Sequence, residues 1–237
     1  MQIYQLILLT IGAYLLGAVP TSYIAGRLLK GVDIRDYGSG AVSGSNVYYS
    51  VSRWAIIPVG IFDVLKGAIP VAIAYPVLSF PLWAQASVGI AAITGHNWSV
   101  FLGFSGGRGF ATMIGVLIIL APWELLVFII AALVGWGLLK NSPLAMLIAT
   151  AVIVPASLGL PEGPLVMAPE LPLVRTWCLL GMLLLLIIKR LLAERVIPLG
   201  NRKQVLLYRL LLDRDTRNRE AWIYRTPSNV EDPPKKK

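Results

Sequence analysis

An all-α integral membrane protein is the fold class that this 237-residue sequence predicts, and three observations predict it. Hydrophobic residues make up 57% of the chain and charged residues only 14%, a balance far too apolar for a soluble domain. The apolar residues fall into long runs separated by polar or glycine-rich stretches. The net charge of +9 is unevenly placed, with thirteen of the 21 Lys and Arg lying from Lys189 onward. A basic tail beside a membrane fits a cytoplasmic location and contact with anionic lipid headgroups. No nucleic-acid module accompanies the charge, so nucleic acid is not an expected partner. The single Cys178 lies in an apolar run, which excludes a disulfide framework and a thiol metal site.

Taken in order, the first span covers about Ile3–Leu28 and contains Tyr14, Gly17 and Pro20. Its first 26 residues carry no Lys or Arg, so it lacks the basic start of a signal peptide and reads as a retained span. A polar insert, Lys30–Arg53, separates it from a second span at about Trp54–Leu78 and a third at about Leu82–Thr94. Next comes GHNWSVFLGFSGGRGFAT, Gly95–Thr112, which holds the only histidine, His96, and a glycine-rich turn carrying Arg108. The apolar run Phe110–Ala121 is short. At 1.5 Å per residue it crosses a core of ~30 Å only if the glycine-rich turn itself lies below the membrane surface. That is the discontinuous-helix arrangement used for anionic substrates.

Further spans follow at about Trp123–Leu139 and Leu144–Leu160, separated by Lys140-Asn141-Ser142-Pro143. The proline- and glycine-rich segment 161–172 holds Glu162 and Glu170, and the last span runs about Val174–Ile188. Seven transmembrane helices result. Arg27, Lys30, Arg35, Arg53, Arg108, Lys140 and the tail share one side, which predicts the N-terminus outside and the C-terminus cytoplasmic. Trp54, Trp83, Trp98, Trp123 and Trp177 sit near span ends, as an aromatic belt places them. The expected organisation is a membrane domain over residues 1–190 with membrane-embedded glycine-rich loops. A basic helical extension, cytoplasmic or lying in the interface plane, covers 191–225, and a disordered basic tail covers 226–237.

A glycine-rich turn that opens a helix offers backbone N–H groups and a positive dipole end to an anion, and Arg108 adds a bidentate donor. The same glycines also suit close helix packing. In the first insert, Tyr37-Gly38-Ser39-Gly40 and Gly44-Ser45-Asn46 read either as phosphate-holding turns or as an ordinary polar loop. Asp63 and Lys66, three residues apart inside a span, share a helix face and read as a structural pair. No second His or Cys stands at ligand spacing from His96, so no metal is expected, and there is no G-x-S-x-G elbow.

Taken together, YLLGAVPTSYIAGRLLKGVDIRDYGSG, FDVLKGAIPV and GHNWSVFLGFSGGRGFATMIG resemble the bacterial acyl-phosphate:glycerol-3-phosphate acyltransferase family (PlsY), over about Tyr14 to Ile188. The resemblance implies a multi-pass plasma-membrane enzyme of phospholipid biosynthesis with its site facing the cytoplasm. Its substrates would be acyl-phosphate and glycerol 3-phosphate, among membrane lipids, with no cofactor; nothing in the sequence sets an oligomeric state. It further implies a phosphate pocket of Ser39, Asn46, Arg53, His96 and Arg108, with Gly38, Gly40, Gly106 and Gly107 as N–H donors and Ser142 from the loop after the fifth span. Ser39 and His96 are the expected catalytic pair, Ser39 holding a phosphate rather than attacking.

This chain departs from the family pattern at Ala41, Ser43 and Tyr49, where the pattern carries Asn, Gly and Arg, and has Arg108 where the family usually has lysine. Lys189–Arg195 lacks the His and Asn of the family's last motif. Two alternatives therefore stand beside the enzyme: a non-catalytic acyl-phosphate- or lipid-binding protein of the same fold, and a transporter for a small phosphate ester.

Overall fold

The computed structural model describes residues 3–161, 172–192 and 201–227, and among them the ordered elements are helical. The expectations for 162–171, for Ala193–Arg195 and for the tail from 228 lie outside the described residues. Each of the seven apolar runs forms a helix. The first is broken into α1 (Ile3–Ala18) and α2 (Thr21–Lys30). Pro20 lacks the N–H that would continue the ladder, and the chain turns there.

A short helix α3 (Gly44–Ser50) sits in the first insert. The bundle then continues with α4 (Ile56–Ala72), α5 (Leu82–Asn97), α6 (Phe110–Leu120), α7 (Pro122–Leu139), α8 (Ser142–Ala156) and α9 (Pro172–Leu191). Beyond it lie α10 (Arg202–Leu212) and α11 (Arg219–Ile223).

Among the described residues, three helical stretches are long and apolar enough to cross a membrane: Ile3–Lys30, Ile56–Tyr75 and Pro122–Leu139. Phe110–Leu120 and Ser142–Ala156 are apolar but shorter. Leu8, Ile57, Ile61, Leu133 and Leu138 point outward from α1, α4 and α7, as lipid-facing residues do. Inside, Met113, Leu117, Phe128, Ile153, Leu179 and Leu186 join α6 to α9 in one buried cluster.

Between apolar helices in lipid, close backbone approach replaces the hydrophobic drive. Two helix pairs use it reciprocally. A Cβ on Gly17 of α1 would stand 2.1 Å from the Ala92 carbonyl oxygen of α5, and one on Gly95 of α5 would stand 2.1 Å from the Tyr14 oxygen of α1. Gly67 of α4 meets the Thr112 oxygen, and Gly115 of α6 meets the Val64 oxygen, in the same way. Gly115→Ala is expected to force α4 and α6 apart and cost about 1–3 kcal/mol. It should lower the unfolding temperature in detergent, whereas Gly12→Ala, which meets open space, should not.

The break between α1 and α2 frees backbone carbonyls that need partners away from water. The Ala18 oxygen accepts from Ser99 Oγ, and the Val19 oxygen accepts from Lys66 Nζ at 2.9 Å. Lys66 also pairs with Asp63 at 2.8 Å, and Asp63 accepts from Thr21 Oγ1 at 2.6 Å. Away from this cluster, Arg175 pairs with Glu124 at 2.8 Å and caps α8 by donating to the Ser157, Leu160 and Pro161 oxygens.

Candidate active site

The loop between α2 and α3 is built around two polar side chains. Asp33 accepts from the Arg35 N–H at 3.0 Å and holds the Arg35 guanidinium at 2.6 Å. That hydrogen-bonded guanidinium keeps the Asp33 carboxyl below its ordinary value. Asn46 is buried, and its Nδ2 donates to the Ile34, Tyr37 and Ala41 oxygens, each at 3.0 Å. Its Oδ1 accepts from Ser50 Oγ at 3.1 Å. Asn46 thus gathers the chain from 34 to 41 into a tight turn and presents Ser39 on its rim.

Gly38 and Gly40 have φ of 51° and 70°, conformations that favour glycine. Asn46→Asp replaces the donor with an acceptor facing three carbonyls. The three oxygens keep the backbone N–H groups of Tyr37, Gly40 and Ser43, so the expected cost of about 1–3 kcal/mol comes from burying an acceptor-only side chain against them. Activity and the unfolding temperature should fall together.

The second loop packs against the end of α5. Gly107 N–H donates to the His96 oxygen at 2.9 Å, and a Cβ on Gly107 would stand 2.0 Å from His96 Nε2. His96 is buried between this turn and the Asp63 cluster, its Nδ1 lying 3.7 Å from Asp63 Oδ1. The Val42 N–H donates to the Gly106 oxygen at 3.2 Å, which ties the two loops directly together. From this turn Arg108 reaches the C-terminal segment. Its Nε lies 2.8 Å from Asp213 Oδ1 and donates to Oδ2 at 3.1 Å, while Nη1 donates to the Lys189 oxygen at 3.3 Å.

A cavity of about 640 Å³ opens where these loops meet α7, the start of α8 and the C-terminal segment. Of the residues singled out from sequence, Ser39, Asn46, Arg108 and Ser142 line it. Gly38 and Gly40 set the backbone on either side of Ser39. His96 and Gly106 instead line a separate void of about 10 Å³ with Lys66, and Gly107 packs on His96. Arg53 is exposed, its guanidinium 5.9 Å from the Tyr48 ring, and is not among the lining residues.

Sequence reasoning did not place Ser43, Lys140, Arg214 or Arg219 in the site, yet all four line the cavity. Lys140 stands two residues before Ser142, and that neighbourhood was a usable signal. The two arginines had none, because their approach depends on how α10 docks. Trp136 and Leu139 of α7 form an apolar wall beside the cations.

A sequence profile described as "Glycerol-3-phosphate acyltransferase" matches residues 7–194. The chain belongs to the glycerol-3-phosphate acyltransferase family. It is 35% identical over 230 residues to glycerol-3-phosphate acyltransferase 5 of Dehalococcoides mccartyi, covering 96% of this chain and 97% of that one. It is 37% identical to glycerol-3-phosphate acyltransferase 4 from another strain of that organism, covering 90% of each chain. The fold is similar to crystal structures of PlsY (YgiH), an integral membrane glycerol 3-phosphate acyltransferase. The glycerol 3-phosphate form gives a TM-score of 0.67 at 30% identity, covering 83% of this chain and 96% of that one. The lysophosphatidic acid form gives 0.66 at 30% identity, covering 78% and 88%. The acyltransferase profile stops at 194, whereas the first D. mccartyi alignment reaches into the segment beyond it.

Proposed function

We propose that this acyltransferase moves an acyl group from acyl-phosphate to the 1-hydroxyl of glycerol 3-phosphate, giving lysophosphatidate and inorganic phosphate for phospholipid synthesis. One observation carries the reading: a single cavity joins serine hydroxyls, Arg108 and Lys140 to an apolar wall on α7. That combination suits an amphiphile with a phosphate head and an acyl tail.

The hydroxyl oxygen of glycerol 3-phosphate attacks the acyl carbonyl carbon. The new ester C–O bond forms as the bond from carbonyl carbon to phosphate oxygen breaks, and the hydroxyl proton leaves with the released phosphate. The donor is already activated, so the protein's work is to align the reactants and stabilise charge. Ser39 and Ser142 hold phosphate oxygens, and Arg108 neutralises them. Asn46 and His96 keep the two loops in register. Gly106 and Gly107 let the second loop settle on α5, and Arg53 anchors the insert at the headgroup level.

In the same reading the seven apolar helices all cross a bacterial plasma membrane, with the N-terminus outside and the cavity on the cytoplasmic side. The clustering of Arg27, Lys30, Arg35, Arg53, Arg108 and Lys140 at one end of the spans supports that orientation.

Donor competition tests the chemistry. Purified protein supplied with glycerol 3-phosphate should form lysophosphatidate from acyl-phosphate and not from acyl-CoA or acyl carrier protein. Product formation from acyl-CoA alone would overturn the donor assignment.

A further inference from the structure

The cavity carries more positive charge than its carboxylate answers. Its lining includes Arg108, Lys140, Arg214 and Arg219 against Asp213. Asp213 is engaged by Arg108, and the nearby Asp215 is engaged by Arg209. Among the described residues, Arg214 and Arg219 therefore form no ion pair, and Arg214 Nε makes no hydrogen bond. Arg219 Nη2 donates to the Tyr49 hydroxyl at 3.3 Å. Burial, and then the charge of Arg219, hold the Arg214 guanidinium below its ordinary value. Two guanidiniums so placed repel each other until an anion joins them.

Their placement is fixed by the fold. Arg190 of α9 donates to the Leu210 oxygen at 2.7 Å and to the Pro143 oxygen at 2.6 Å, stapling α10 to the start of α8. Arg209 returns the contact by donating to the Leu191 oxygen at 3.0 Å. Further along, the Gly38 N–H donates to the Arg225 oxygen at 2.9 Å, so the segment's far end rests on the loop that bears Ser39. The segment is docked at both ends, with Arg214 and Arg219 between them.

We propose that Arg214 and Arg219 are phosphate-binding residues of the acyl-transfer site, holding the phosphate group of one of its two substrates beside the serine hydroxyls of the first loop. The assignment rests on the acyl-transfer reading for the identity of the substrates, and on the cavity alone for the anion. The guanidinium fork suits phosphate oxygens, and two forks from one docked segment bracket a dianion. The C-terminal segment is then part of the active site and not an accessory tail.

The test uses full-length protein in lipid nanodiscs with the Arg214→Gln, Arg219→Gln and double variants, and Arg217→Gln as an exposed control. Arg214→Gln and Arg219→Gln are each expected to raise one substrate's KM about tenfold with little change in kcat, and to weaken inhibition by inorganic phosphate in parallel, while Arg217→Gln leaves both unchanged. A rise for glycerol 3-phosphate assigns the pair to the acceptor, and a rise for acyl-phosphate assigns it to the donor. Unchanged KM values and unchanged phosphate inhibition in a double variant of normal thermal stability would overturn the proposal. If the double variant does not fold, Arg219→Gln alone decides, since that side chain is exposed.

Should the wild type transfer no acyl group, the acyl-transfer reading fails, while equilibrium binding of inorganic phosphate still tests the arginines. Binding lost in the variants supports them, and equal binding in wild type and variants refutes them.

Discussion

Lys66→Met is expected to destabilise the protein by about 3–5 kcal/mol, because it leaves a buried carboxylate without its cation. Lys66 and Asp63 are 2% and 3% exposed, and their charged atoms are 2.8 Å apart. The lysine also donates to the Val19 oxygen at the break between α1 and α2, so its loss leaves that oxygen with the Thr21 N–H alone and the Asp63 carboxylate with the Thr21 hydroxyl as its closest donor. Removing both charges together should recover much of the loss. The double variant Asp63→Asn/Lys66→Met keeps an amide for Thr21 and His96 and no longer buries a lone charge. Unfolding in detergent of the two single variants and the double variant measures the coupling. A loss below about 1 kcal/mol for Lys66→Met would mean the pair behaves like one exposed to water.

Arg108→Ala should lower kcat/KM by roughly tenfold to a hundredfold, the equivalent of one charge-assisted hydrogen bond to phosphate of about 1.5–3 kcal/mol. Among the described residues the guanidinium spends Nε on Asp213 and Nη1 on the Lys189 oxygen, leaving Nη2 for an anion. Arg108→Lys keeps the charge but not the fork, so it should fall between wild type and alanine. Steady-state kinetics with both substrates varied provides the measurement. Wild-type kcat/KM in Arg108→Ala would remove the residue from the site.

Much of the architecture is legible in the sequence because helix-forming apolar runs are local. The spans read as Trp54–Leu78 and Trp123–Leu139 return as α4 with its irregular last turn and as α7. Pro20 is equally legible as a breaker, although its consequence is not: the freed carbonyls call on Ser99 and Lys66, far away in sequence.

The glycine-rich turn posed a choice between anion binding and close packing. Gly107 plainly packs, since it lies on His96, while Arg108 beside it lines the cavity. Close packing describes Gly107, and anion binding is the role proposed for Arg108 beside it.

What no spacing rule reveals is the C-terminal segment. Arg108 and Asp213 are 105 residues apart in sequence. Likewise, nothing local to Tyr49, the position where the family pattern carries arginine, announces that Arg219 arrives there at 3.3 Å. A basic, mixed-polarity tail reads as a surface helix until its docking partners are known.

In the proposed reaction the cavity joins two phosphate-bearing substrates so that one acylates the other. Phosphate release from acyl-phosphate, followed with and without glycerol 3-phosphate, tests it most directly. Release is expected to depend on the acceptor and to match lysophosphatidate formation one for one. Release that ignores the acceptor, or bound acyl-phosphate that never releases phosphate, would contradict it.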